Sequence, residues 1–163
     1  MRRKEREVTD RKKIREIILS CSCCRVGFYD DGEIYIVPLD FGYSEDDEKG
    51  VFYFHGAKEG RKFDLIQKSD AVGFELDVNH KLIDGKTACQ YTSQYQSVVG
   101  TGRMNLVEEE HSKIKALQSI MCHSTGRSDW DFSPRTREKV AVFQLQVEKL
   151  SCKEYLPTIK EDI

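Results

Sequence analysis

Asp30-Asp31-Gly32 stands between two runs rich in β-forming residues, Cys24–Tyr29 and Glu33–Leu39, and it constrains the fold more than any other stretch. Asp-Gly between such runs favours a type I′ turn, whose two central residues need positive φ, so the pair reads as an antiparallel hairpin. Pro38 cannot donate to a ladder, which places it at an edge, a bulge or a strand end. Further β-rich runs are Val51–His55, Ala71–Asp77, Tyr91–Val107 and Ala141–Val147, the last alternating inward Phe143 and Leu145 with outward Gln144 and Gln146. Three helical patterns lie among them. Asp10 reads as an N-cap for residues 10–21, with Ile14, Ile17, Ile18 and Cys21 on one face. Arg61–Lys68 offers Phe63, Leu65 and Ile66 for packing. Glu108–Glu110 open a third helix whose stripe is Ile114, Leu117 and Met121. The acidic residues 45–48 read as a solvated turn, 78–90 as a polar excursion and 123–136 as irregular. The expected class is mainly β or α+β: six antiparallel strands in a small barrel with about three flanking helices.

At 163 residues the chain suits one domain, with an N-terminal helix at about 10–21, a barrel core at about 24–150 and a tail at 151–163. Its formal net charge is −2, which argues against a general attraction to nucleic acid or to membrane. The basic N-terminal run (Arg2, Arg3, Lys4, Arg6) is interrupted by acids, and no run of roughly 7–15 apolar residues follows it, so a cytoplasmic location is expected. Cys21 and Cys24 form a C-x-x-C, open to use as a redox pair or half a zinc site, but the only other nearby offer is Cys122-His123. Reduced thiols serving as small hydrophobes are the plainer account, and no metal is expected.

The segment richest in chemistry is His55-Gly56-Ala57-Lys58-Glu59-Gly60-Arg61-Lys62. A strand ends, glycines free the backbone, Lys58, Arg61 and Lys62 gather, and a helix begins whose first amides face an anion. The spacing matches neither common nucleotide-binding loop, so the residues alone leave a phosphate site and an ordinary solvated turn both open. Val37-Pro38-Leu39-Asp40, continuing to Gly42 and Tyr43, offers strand backbone and aromatic surface to a planar heterocycle. Gln96-Ser97-Val98 offers amide and hydroxyl groups on another strand.

Taken in order, Tyr35–Tyr43, Tyr53–Lys62 and Tyr95–Gly102 resemble the nitroimidazole-resistance (Nim) proteins of the pyridoxamine 5′-phosphate oxidase-like, FMN-binding split-barrel superfamily. Supporting marks are Cys24-Arg25, Asp77-x-x-His80 and Lys139–Phe143, and the likeness runs roughly from Arg2 to Lys149. The resemblance implies a split β-barrel and a homodimer with a flavin in each intersubunit groove, FMN first and FAD as the alternative. Val37 to Asp40 would meet the ring and Arg61-Lys62 the phosphate. His55 would stand near the reactive face as a proton donor, or would only hydrogen-bond its loop. The oxidases commonly carry a serine where this chain has Gly60, and their pyridoxal-phosphate-binding residues near the C-terminus have no match, so oxidation of pyridoxamine phosphate is not expected. His80, His111 and His123 read as surface residues, although His123 could approach a dimer-related pocket; Trp130 reads as a flavin cover or a packing residue. The implied activity is flavin-dependent reduction of a small electron-poor substrate such as a 5-nitroimidazole. Rival readings are a non-catalytic flavin or haem binder and, third, a zinc or redox cysteine protein.

Overall fold

The computed structural model describes residues 3–45 and 49–157; the acidic turn at 46–48 and the tail at 158–163 lie outside the described residues. A short 3-10 turn at Lys4–Arg6 leads into β1 (Glu7–Val8) and then α1 (Arg11–Ser20). Asp10 caps α1 by accepting from the Lys12 amide at 3.1 Å, and Ile17 and Ile18 are buried beneath it. Strands β2 (Cys24–Asp30) and β3 (Glu33–Leu39) pair in full register, and Asp31 (φ 48°) with Gly32 (φ 99°) makes the expected left-handed turn. After β4 (Gly42–Ser44), β5 (Val51–Gly56) leads to α2 (Arg61–Lys68), then β6 (Ala71–Ile83) and β7 (Thr92–Leu106). The chain closes with α3 (Glu110–Thr125), α4 (Pro134–Lys139) and β8 (Ala141–Tyr155).

The result is a mixed α+β architecture with one antiparallel eight-stranded sheet in the order β3-β2-β6-β7-β8-β5-β4, to which β1 adds on β8. The six expected strands are therefore joined by β1 and β4, and the three helices by α4. Ser133 caps α4 from a stretch expected to be irregular, with Pro134 at its first position. The polar excursion after Asp77 is corrected too. Strand β6 continues to Ile83 through a bulge between Val78 and Lys81, where Asn79 adopts φ 58°. Strand β8 likewise continues past Val147 to Tyr155.

The sheet curls around one core. Phe52 of β5 meets Phe74 of β6 at 5.2 Å although two strands separate them in the sheet. Phe28, Phe41, Phe54 and Phe143 complete the aromatic interior. Outside it, α3 presses Ala116 and Leu117 onto Val142 of β8. Gly42 makes this possible: a Cβ there would lie 2.5 Å from the Ser119 Oγ and 2.6 Å from the Ile120 amide. His123, expected at the surface, is half-buried, and its two ring nitrogens stand 2.8 Å from the Phe41 carbonyl and 3.2 Å from that of Leu19. It ties the end of α3 to α1 and to the start of β4.

Cys21, Cys24 and Cys152 belong to the core. Burial pushes the Cys21 thiol from 9.0 to about 12 and that of Cys152 to about 11, and raises Cys24 as well. These thiols stay protonated at neutral pH. Because their folded-state values are raised, their contribution to stability is complete below the unfolded value and lost as pH rises towards 11 and 12. Stability is therefore expected to fall above about pH 9. Exposed Cys89 and Cys122 should react with a thiol reagent at neutral pH, and Cys21, Cys24 and Cys152 only after denaturation. Mass-spectrometric mapping of labelled native protein checks this, and rapid labelling of Cys21 or Cys24 would contradict it. Among the described residues, no group of three or more His, Cys, Asp or Glu is placed to hold a metal ion, and no helix is long and apolar enough to cross a membrane.

Candidate functional site

Strand β5 alternates as a half-buried strand must: Phe52 and Phe54 enter the core, while Tyr53 and His55 face the other way. Gly56 then ends the strand opposite Ala141. The turn Ala57–Gly60 is exposed and feeds α2, whose N-cap Gly60 sits at φ 99° with no side chain to cap the first amides. A serine there would be strained, so the departure from the oxidase pattern at this position follows from the backbone. The uncapped first turn directs its amides outward, the usual arrangement for receiving an anion.

Lys62 turns inward over Gly56. A Cβ on Gly56 would stand 2.7 Å from the Lys62 Nζ, so only glycine leaves the ammonium this seat. The ammonium is 5.5 Å from the centre of the Phe143 ring, and burial lowers the pKa of Lys62. No carboxylate pairs with Lys62 among the described residues. A half-buried cation without a counter-charge, beside uncapped amides, is chemically a receptor for an anion.

Arg61, its sequence neighbour, points elsewhere. Its Nε donates to Asp30 Oδ2 at 2.8 Å and its Nη2 to Glu33 Oε2 at 3.2 Å, while the guanidinium lies 4.6 Å over the Tyr35 ring. Arg61 thus pins α2 to the tip of the β2–β3 hairpin, and the two carboxylates raise its pKa further. The sequence pattern grouped Arg61 with Lys62 but could not show these partners, which lie some thirty residues earlier.

Lys58 lines a cavity of about 340 Å³ with Lys113 of α3, over a floor of Phe63, Leu106 and Val140–Val142. Burial and the nearby Lys58 charge lower the pKa of Lys113, whose ammonium donates to the Arg137 carbonyl at 2.6 Å. His55, exposed, stands across the ladder from Val142, one of the floor residues. Lys113 is a site candidate that sequence reading missed: it lies within an ordinary amphipathic helix, and only the packing of α3 brings it to Lys58.

The other candidates are distributed. On β3, an edge strand, Pro38 and Asp40 flank the edge in exposed positions, Val37 is half-buried and Leu39 is buried. Gly42 lies beneath α3. Tyr43 packs on Phe52 with ring centres 4.9 Å apart and lines a separate cavity of about 420 Å³ with Arg11, Arg15 and Lys49; burial pushes its phenol up to about 12. Gln96 is buried, accepts from the Asn79 amide at 2.6 Å and donates to Glu154. Val98 is in the core, and Ser97 faces Asp77 and Lys153 on its neighbouring strands. Gln96 and Leu106 stand near opposite ends of β7, roughly 30 Å apart at about 3.3 Å per residue. One chain therefore groups His55, Gly56, Lys58, Gly60 and Lys62, but does not bring Gln96–Val98 to them. Trp130 is partly buried, bonded to the Thr125 hydroxyl at 3.2 Å and covered by Arg127 at 4.7 Å.

No curated protein matches the chain. Among solved structures, a provisional 5-nitroimidazole antibiotic resistance protein from Bacteroides thetaiotaomicron is 30% identical over 90% of this chain and 85% of its own, with a TM-score of 0.78. A FAD and haem binding protein from Mycobacterium smegmatis shares the fold at 12% identity, covering 93% of this chain and 74% of its own, with a TM-score of 0.81. A FAD-binding protein from Mesorhizobium loti does so at 18% identity, 93% and 98% coverage, and a TM-score of 0.65. These likenesses make the curled sheet a split barrel. The family model for pyridoxamine 5′-phosphate oxidase matches residues 10–154, and with it the chain is a member of the pyridoxamine 5′-phosphate oxidase-like split-barrel family.

Proposed function

We propose that this protein is a flavin-dependent oxidoreductase, acting as a homodimer, that reduces a small electron-poor substrate such as a 5-nitroimidazole. The observation that carries the reading is the seat of Lys62: a half-buried ammonium over Gly56, without a carboxylate partner among the described residues, beside the uncapped start of α2. A flavin phosphate fits that donor set. Lys62, Lys58 and the first amides of α2 bind it, and Val37–Asp40 on the exposed edge of β3 meets the ring, partly through backbone. FMN supplies this phosphate directly, and FAD supplies a diphosphate with an adenylate beyond it. When bound, the flavin supplies the electron transfer; the chain supplies orientation and a proton. His55 is the residue suited to deliver that proton, since an imidazole can donate one from a ring nitrogen and this one is exposed at the end of β5. The similarity to the Bacteroides protein supports the choice of substrate class.

A second copy of the chain suits the outer face of β2, β3 and β7, where Tyr29, Ile34, Ile36 and Val99 are exposed by 51–66% beside the flat positions Gly27 and Gly73. A flavin or haem carrier without turnover is the second reading, supported by the Mycobacterium smegmatis protein of the same fold. Purified protein loaded with FMN is expected to consume reduced nicotinamide steadily when a 5-nitroimidazole is added. Flavin retained without any consumption would favour the carrier, and absence of flavin binding would end both readings.

A further inference from the structure

Arg61, Asp30 and Glu33 together carry a net charge of −1, so the guanidinium as held here does not attract a phosphate. The two carboxylates differ in how firmly they hold. The Asp30 side chain is 19% exposed and takes the Nε at 2.8 Å, whereas that of Glu33 is 77% exposed and takes one Nη2 proton at 3.2 Å. Guanidinium has five N–H donors in a fixed plane, so releasing Glu33 frees its outer edge while Asp30 and the Tyr35 ring keep the plane oriented. Resting on the flavin reading above, we propose that Glu33 is a displaceable counter-ion of the phosphate anchor: a ligand phosphate takes its place on Arg61, and Asp30 stays to orient the guanidinium. The inference makes Glu33 a determinant of affinity for phosphorylated ligands, and Asp30 a positioning residue of opposite effect.

The test is a set of fluorescence titrations with FMN and with riboflavin, the same ring without phosphate, on the wild type, Glu33→Gln, Asp30→Asn and Arg61→Ala. Glu33→Gln removes a competitor and should tighten FMN by about two- to fivefold, the range of an exposed ion pair, with riboflavin unchanged. Asp30→Asn should weaken FMN, again without moving riboflavin. Added salt should narrow the gap between Glu33→Gln and the wild type. If FMN binding depends on Arg61 but Glu33→Gln leaves it unchanged or weaker, the counter-ion role is wrong and the flavin reading stands. If Arg61→Ala binds FMN as the wild type does, the inference falls. If FMN and riboflavin bind the wild type alike as well, the phosphate reading falls with it.

Discussion

Phe52→Ala is expected to lower the unfolding free energy by about 3–5 kcal/mol, the range for truncating a buried aromatic residue. Phe52 is wholly buried, and its ring meets those of Phe41 (5.5 Å), Tyr43 (4.9 Å), Phe54 (6.3 Å) and Phe74 (5.2 Å). These partners come from the start of β4, from β5 itself and from β6, so a cavity at this point loosens the closure of the curled sheet rather than one strand. Small proteins are stable by only about 5–15 kcal/mol, so the loss is a large share of the whole. Denaturant titration of the two proteins measures it. A loss under about 1 kcal/mol would mean that the aromatic cluster is not what holds the sheet closed.

Lys62→Ala is expected to weaken FMN by about ten- to a hundredfold, because a hydrogen bond to a charged group contributes about 1.5–3 kcal/mol. The ammonium is half-buried, so its removal takes away an interaction that water screens poorly, and it should leave the melting temperature near that of the wild type. Gly56→Ala should produce a milder version of the same loss. Its new methyl group clashes with the flexible end of Lys62 alone, meets the Phe143 ring edge at an ordinary 3.5 Å, and would displace the ammonium without disturbing β5. Equal FMN affinity in Lys62→Ala and the wild type would place the phosphate elsewhere.

What the sequence made legible was local. The β2–β3 turn is encoded by Asp31-Gly32, α1 by Asp10 and its apolar stripe, and the start of α2 by a glycine whose positive φ no other residue takes easily. Strands β1 and β4 escaped because two or three residues carry no periodicity; they are strands only because β8 and β5 are there to pair with. Helix α4 escaped because Pro134–Lys139 has no apolar face, and it is held by its serine cap and the 2.7 Å ion pair between Arg137 and Glu110. The end of β6 was hidden by Asn79, a turn-forming residue that here sits in a bulge inside a strand. The candidate site divides in the same way. His55 to Lys62 is one continuous stretch and could be read directly, whereas Lys113 beside Lys58, and Asp30 with Glu33 on Arg61, depend on how distant elements pack.

Whether the cations following β5 grip a phosphate is decided by comparing FMN with riboflavin on the wild type and on a double variant, Arg61→Ala with Lys62→Ala. The wild type should prefer FMN by at least about tenfold, and the folded double variant, left with Lys58 and the α2 amides, should lose most of that preference. A double variant that stays folded and still prefers FMN as strongly as the wild type would contradict that grip.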